Sequence, residues 1–339
     1  MDKMDALLCS APGTLGVVQL EAATRAAGEV LVRPRRVGIC GTDYHIFEGK
    51  HPFLAYPRVM GHELAVEVVD GGDSDFRPGE IVVVNPYLSC GSCIACRRGK
   101  PNCCTRIAVL GVHRDGGMTQ LLSLPPQNLV RAEGLSVDAC ATVEFLAIGA
   151  HAVRRAALEP VDRVLVIGAG PIGFGAVLFA TLSGAQVTVL DRDAERLAVA
   201  AELFDIAGTI LADEGVADQV SAVTEGDGFD VVFDATGNQA SIEKGFDFVA
   251  HGGRYVLVSV VKGDITFADS DFHRKEMSIL GSRNATAVDF ERVIAAISAG
   301  QVPIDRLITH RTTLAGAVTD LPRWASQKSG LIKAVIEID

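Results

Sequence analysis

The chain is poor in aromatic residues, in positive charge and in cysteine. Of 339 residues only one is tryptophan and four are tyrosine, and no motif places any of them in a pocket. Thirty-one lysines and arginines stand against 42 acidic residues, a net charge of −11, and no long basic run interrupts the excess. Such a surface repels a phosphate backbone, so nucleic acid is excluded as a partner. There is no internal repeat, no low-complexity tract and no flexible linker. The N-terminus, MDKMDALLCSAPG, offers only four consecutive apolar residues between charges and is no secretory signal. A cytoplasmic, reducing location follows as the expectation, and there disulfides seldom persist. One charge-free run, Val164 to Leu190, is 27 residues long. Five glycines and Pro171 break it, which favours a buried strand–turn–helix over a membrane span.

With 48% hydrophobic and 22% charged residues the composition is that of a globular protein, and the length supports two cores. Residues 1–147 carry short β-branched runs (30-VLV-32, 64-LAVEVV-69, 81-IVVV-84) separated by Gly, Pro and Asp turns. From 148 to 280 apolar strands (164-VLVIG-168, 187-VTVL-190, 229-FDVVFDATG-237, 254-RYVLVSV-260) alternate with helical stretches such as 193-DAERLAVAAELF-204. That alternation predicts a parallel sheet covered by helices on both faces. Residues 281–339, with a helix over 288–300 and a final strand over 331–338, are expected to return to the first domain.

The few cysteines are concentrated. In 90-CGSCIACRRGKPNCC-104 five of the eight fall within fifteen residues. Cys90, Cys93, Cys96 and Cys104 have the spacing with which four thiolates close around a tetrahedral structural zinc. An iron–sulfur cluster is the rival, since it too takes four thiolates. Gly91 and Gly99 supply turns, Arg97, Arg98 and Lys100 would offset the charge, and Cys103 is left over. A second set is scattered over 38-GICGTDYHIFEG-49, 61-GHE-63 and 142-TVEFLAIGAHAV-153: Cys40, His62, Glu63 and Glu144. Three of these on a zinc would leave a position open for water or substrate.

These motifs, with VLVIGAGPIG and the closing GLIKAVIEI, resemble the zinc-dependent medium-chain alcohol dehydrogenase family, and most closely its sorbitol and threonine dehydrogenase-like branch. The resemblance spans essentially the whole chain. It implies an α/β protein: a GroES-like, mainly-β catalytic domain (1–147 and 281–339, with the zinc lobe at 90–104) and a doubly wound Rossmann domain (148–280). It implies two zinc ions per chain, the catalytic one on Cys40, His62 and a carboxylate, either Glu63 or Glu144. By the same resemblance Thr42 takes the substrate proton, His45 passes it toward solvent, and Asp43 orients His62. Phe145 departs from the branch, which often has proline after that glutamate. His51, His113 and His151 are read as surface residues.

In 164-VLVIGAGPIG-173, Gly168, Gly170 and Gly173 stand in GxGxxG register after a strand, with Pro171 and Ile172 opening the helix. Such a loop binds the pyrophosphate of a dinucleotide. Asp191, at the end of the next strand, is placed to meet the adenosine ribose of NAD. Its neighbours Arg192 and Arg196 are the cations that would have to meet a 2′-phosphate. Family likeness adds Thr236 on the nicotinamide side and Arg283 near the cofactor. The expected activity is NAD-dependent oxidation of a secondary alcohol in a polyol, sugar or sugar acid, by a homodimer or homotetramer without membrane attachment. The competing expectation is a non-catalytic binding or structural protein that keeps the fold.

Overall fold

The valine-rich runs of the first 140 residues pair with one another and with the far C-terminus. The computed structural model describes residues 2–51, 54–327 and 330–338. It divides into two units, Met1–Glu144 with Thr286–Asp339, and Phe145–Ala285. The helix Val143–Ala156 straddles the first boundary. At the second, the loop after the edge strand Ser278–Gly281 stays with the sheet it leaves.

In the first unit a sheet runs in the order Leu129–Arg131, Ile81–Val84, Glu63–Asp70, Val30–Ile39, Lys333–Glu337, Ile308–Thr313, with Leu122–Leu124 also on Val30–Ile39. Alternate residues face one side, so Val30, Val32, Val66 and Val84 are fully buried. Each such side chain contributes about 1.5–3 kcal/mol of burial. The closing strand pairs antiparallel with Val30–Ile39, Val335 opposite Gly38, while Glu63 lies opposite Gly38 on the other side. This double pairing of one strand brings residues 63 and 333 together.

The second unit is a six-stranded parallel sheet in the order Gly208–Leu211, Gln186–Asp191, Arg163–Ile167, Phe229–Asp234, Val249–Leu257, Ser278–Gly281. Successive residues Val164, Leu165 and Val166 are all fully buried, as a sheet covered on both faces demands. The order reverses between Arg163–Ile167 and Phe229–Asp234, which opens a crevice at their carboxyl ends. The charge-free run is resolved into strand Arg163–Ile167, helix Pro171–Leu182 and strand Gln186–Asp191. Among the described residues no helix is long and apolar enough to cross a membrane.

Candidate active site

Cys40 ends the strand Val30–Ile39 and begins the helix Gly41–Phe47, and His62 and Glu63 open the neighbouring strand. One ligand atom from each of Cys40, His62 and Glu63 lies within 4.8 Å of the others. His62 and Glu63 are buried, and His62 Nδ1 has no hydrogen-bond partner. A buried, unsatisfied imidazole nitrogen beside a thiol and a carboxylate is the donor set of a zinc site with an open position, and the residues fit that ion. Burial pushes His62 down, but the Cys40 sulfur bonded to the ring and the charges of Cys40, Asp43 and Glu144 more than offset it and hold it well above its usual range.

Asp43 is buried and accepts the backbone N–H of Cys40 at 2.8 Å and of Gly61 at 3.3 Å. Asp43 thereby fixes the backbone on either side of the ligands, and its charge also acts on the His62 ring. Glu144 stands in the same buried group. Burial raises it to about 7, and its Oε1 accepts the Tyr87 hydroxyl. Glu63, in turn, receives Lys333 Nζ at 2.7 Å on each oxygen, with both side chains buried. Thr42 is half-buried and His45 exposed, three residues apart on the helix Gly41–Phe47. Tyr87 lies outside every motif, and Lys333 lies inside the closing GLIKAVIEI without a role assigned to it. A lone lysine inside the apolar run LIKAVIEI was the available signal for the second.

Cys90, Cys93, Cys96 and Cys104 converge, each sulfur within 4.8 Å of the rest. The Cys93–Cys96 and Cys90–Cys96 sulfurs are 3.5 and 4.0 Å apart. Tetrahedral zinc with Zn–S near 2.3 Å sets sulfurs about 3.8 Å apart, so this set fits as well. Backbone N–H groups of Cys90 and Arg106 point at Cys104 Sγ, both at 3.3 Å. The Arg106 side chain, with Ser92, lowers Cys90 to about 5. Arg106 is thus the cation bonded to the thiolates, whereas Arg97, Arg98 and Lys100 are exposed and Arg97 Nη1 donates to the Ser92 carbonyl. Cys103 is exposed and outside the group.

In the second unit the glycine loop joins Arg163–Ile167 to Pro171–Leu182, and no side chain caps that helix. Its first-turn N–H groups are left for an anion. A Cβ on Gly173 would stand 1.7 Å from the Gly168 carbonyl oxygen, so only glycine permits this approach. Asp191 closes the loop: Oδ2 accepts Ala169 N–H at 2.6 Å and Oδ1 accepts Asp193 N–H at 2.9 Å. Arg192 is exposed. Arg196 brings Nη1 to 4.0 Å from the place of a Gly170 Cβ and lies 3.7 Å from Asp193. Thr236 is held by Asp234, its N–H at 2.9 Å and its hydroxyl at 2.7 Å, and its methyl lies 3.2 Å from the place of a Gly168 Cβ. Ile172 is half-buried, and Arg283 is exposed. His113 is exposed, His51 half-buried, and His151 buried against Arg154 at 3.0 Å, unlike the surface position expected of it.

A doubly wound sheet with a glycine loop, on one chain with an open metal group and a closed cysteine group, defines a dinucleotide-dependent metal oxidoreductase. Residues 26–134 match the alcohol dehydrogenase GroES-like domain and residues 171–299 the zinc-binding dehydrogenase family. L-galactonate-5-dehydrogenase of Escherichia coli (strain K12) is 41% identical over 338 residues, 99% of each chain. The 2-dehydro-3-deoxy-L-galactonate 5-dehydrogenase of Pseudoalteromonas atlantica is 30% identical over 328 residues, 96% of each. Among solved structures, an alcohol dehydrogenase (rspB) from E. coli CFT073 complexed with NADH superimposes with a TM-score of 0.92 at 31% identity over 99% of each chain. The chain belongs to the zinc-dependent medium-chain alcohol dehydrogenase family.

Proposed function

We propose that the protein oxidises a secondary hydroxyl of a sugar acid or polyol to a ketone with NAD, and that the 5-position of a hexonate is its site of attack. The observation that carries this reading is the buried Cys40–His62–Glu63 group with its unsatisfied imidazole nitrogen. The substrate class is supported by the two relatives named for the 5-position of galactonate derivatives. When bound, zinc would draw electron density from the substrate hydroxyl and NAD would accept the hydride.

The chain's own residues do the rest. Cys40, His62 and Glu63 hold the metal, with Glu144 kept close by Tyr87. Thr42 Oγ1 accepts the hydroxyl proton while its own proton passes toward His45, which is exposed on the same helix and releases a proton to water. Asp43 fixes the backbone that carries Cys40 and His62. Gly168, Gly170 and Gly173, with Pro171 and Ile172, present the helix N-terminus to the pyrophosphate, Arg196 adding charge beside it. Asp191 receives the ribose hydroxyls and disfavours a 2′-phosphate, while Arg192 beside it is exposed. Thr236 serves the nicotinamide side, and Arg283 the pyrophosphate or a polar group of the substrate. The cysteine group is closed by protein and only staples its lobe.

Metal analysis together with NAD reduction over L-galactonate, L-idonate, sorbitol and threonine tests this. Two zinc ions per chain and a hexonate as the best substrate are expected. A chain with one zinc ion and no turnover on the panel would support the non-catalytic alternative.

A further inference from the structure

Around Cys40 and His62 lie three buried carboxyl groups, Asp43, Glu63 and Glu144, and one buried cation. Lys333 is the only buried lysine or arginine among the described residues. An ammonium taken out of water is strongly unfavourable unless it is paired and hydrogen-bonded, so its presence at the start of a buried strand calls for a reason. Its Nζ is 2.7 Å from both Glu63 oxygens and 3.3 Å from the Ile39 carbonyl oxygen. The contact spans the central strand: Glu63 and Val335 both stand opposite Gly38, and Lys333 shares the face of Val335. A Cβ on Gly38 would sit 2.1 Å from Glu63 Oε2, so the missing side chain is the gap through which the carboxylate reaches the lysine.

A carboxylate bound through both oxygens to an ammonium has less electron density to give a second cation. The ammonium also repels a dication bound at the neighbouring donors, and in a buried site this repulsion is little screened. We propose that Lys333 is a positioning residue that tethers Glu63 as a weakened donor, keeping the metal held by Cys40 and His62 less tightly bound and its remaining position open. The proposal rests on the reading that Cys40, His62 and Glu63 hold a metal, and it assigns the strength of that site to a residue 270 positions away in sequence.

The test uses the full chain loaded with zinc(II), and in parallel with cobalt(II), whose spectrum separates a one-thiolate site from a four-thiolate site. In Lys333→Met the freed carboxylate should hold the metal harder: loss of zinc to a chelator at least tenfold slower, and a changed cobalt spectrum at the one-thiolate site. Lys333→Arg, which keeps the charge and can bond both carboxylate oxygens, should resemble the unaltered chain. A lysine that merely stabilised the fold would lower the melting temperature and leave the cobalt spectrum unchanged. Equal or faster zinc loss from Lys333→Met overturns the proposal. Should that variant not fold, Glu63→Gln is compared with Lys333→Met/Glu63→Gln. Removal of the charge should still tighten zinc binding in the double variant, and no difference overturns the proposal. If the unaltered chain binds metal only at the cysteine lobe, the reading of the open site falls and the proposal with it. If both sites fill and the variants match, the proposal alone falls.

Discussion

Gly173→Ala should damage both cofactor binding and stability. In the present fold the new methyl would lie 1.7 Å from the Gly168 carbonyl oxygen. A carbon and a carbonyl oxygen rest about 3.3–3.6 Å apart, so the start of the helix and the end of the strand must separate by more than about 1.5 Å. Neither atom is a flexible side-chain end, and the strain cannot be taken up by a rotamer. Overpacking of this kind costs about 1–3 kcal/mol, or roughly 1–2 °C of melting temperature per kcal/mol in a protein of this size. The second effect is positional. The uncapped N–H groups of Pro171–Leu182 point at the anion only while the loop keeps its closure. A shift of that size should weaken NAD binding at least tenfold, or ~1.4 kcal/mol. Calorimetric titration of variant and parent with NAD, beside thermal melts, measures both. A variant that binds NAD with unchanged Kd would refute the role given to the glycine loop.

Three other outcomes are expected. Cys104→Ser should lose one zinc ion per chain and melt lower, because a structural zinc contributes folding free energy directly, while Cys103→Ser should change neither; metal analysis and calorimetry decide, and metal loss from the Cys103 variant would mean that the wrong thiols were assigned. The unaltered enzyme should prefer NAD over NADP by at least tenfold in kcat/KM, ~1.4 kcal/mol. Asp191→Ala should erode that preference and also lower the melting temperature, since two backbone N–H groups lose their acceptor at about 1–3 kcal/mol each if left unsatisfied; equal use of NADP by the parent would remove Asp191 from discrimination. The third concerns acid. The Arg311 guanidinium at 2.6 Å, with Arg36 at 3.0 Å, holds Asp138 below the usual carboxylate range. A depressed folded pKa means stability that is present above the unfolded value of about 3.9 and lost as pH falls through the folded one. Asp138→Asn should therefore be destabilised at neutral pH, with the gap to the parent closing below about pH 4. Denaturant melts at pH 7 and pH 3 would show it, and a gap that stays constant argues against the pair.

The features legible in the sequence are those whose atoms are close along the chain. Four cysteines in fifteen residues, or three glycines between a strand and a helix, leave few dihedral angles between the groups. Spacing and residue type then nearly dictate convergence, and the lobe and the loop are as expected. The alternation of apolar strands and helices likewise marks the parallel sheet, because its strands are buried on both faces. The open metal group could be assembled only by likeness to a family, since Cys40 and the pair His62–Glu63 meet through strand pairing. What surrounds that group was decided by tertiary structure alone. Lys333 reaches Glu63 because two registers meet at Gly38, and Tyr87 reaches Glu144 across 57 residues. A one-residue slip in either register would turn Lys333 or Glu63 to the opposite face, and nothing local to residue 63 or 333 specifies the pairing. Asp191 shows the same division at short range. Its position at the end of the strand leads to the expectation of a ribose contact, but only the fold turns both its oxygens onto backbone N–H groups, one of them in the glycine loop.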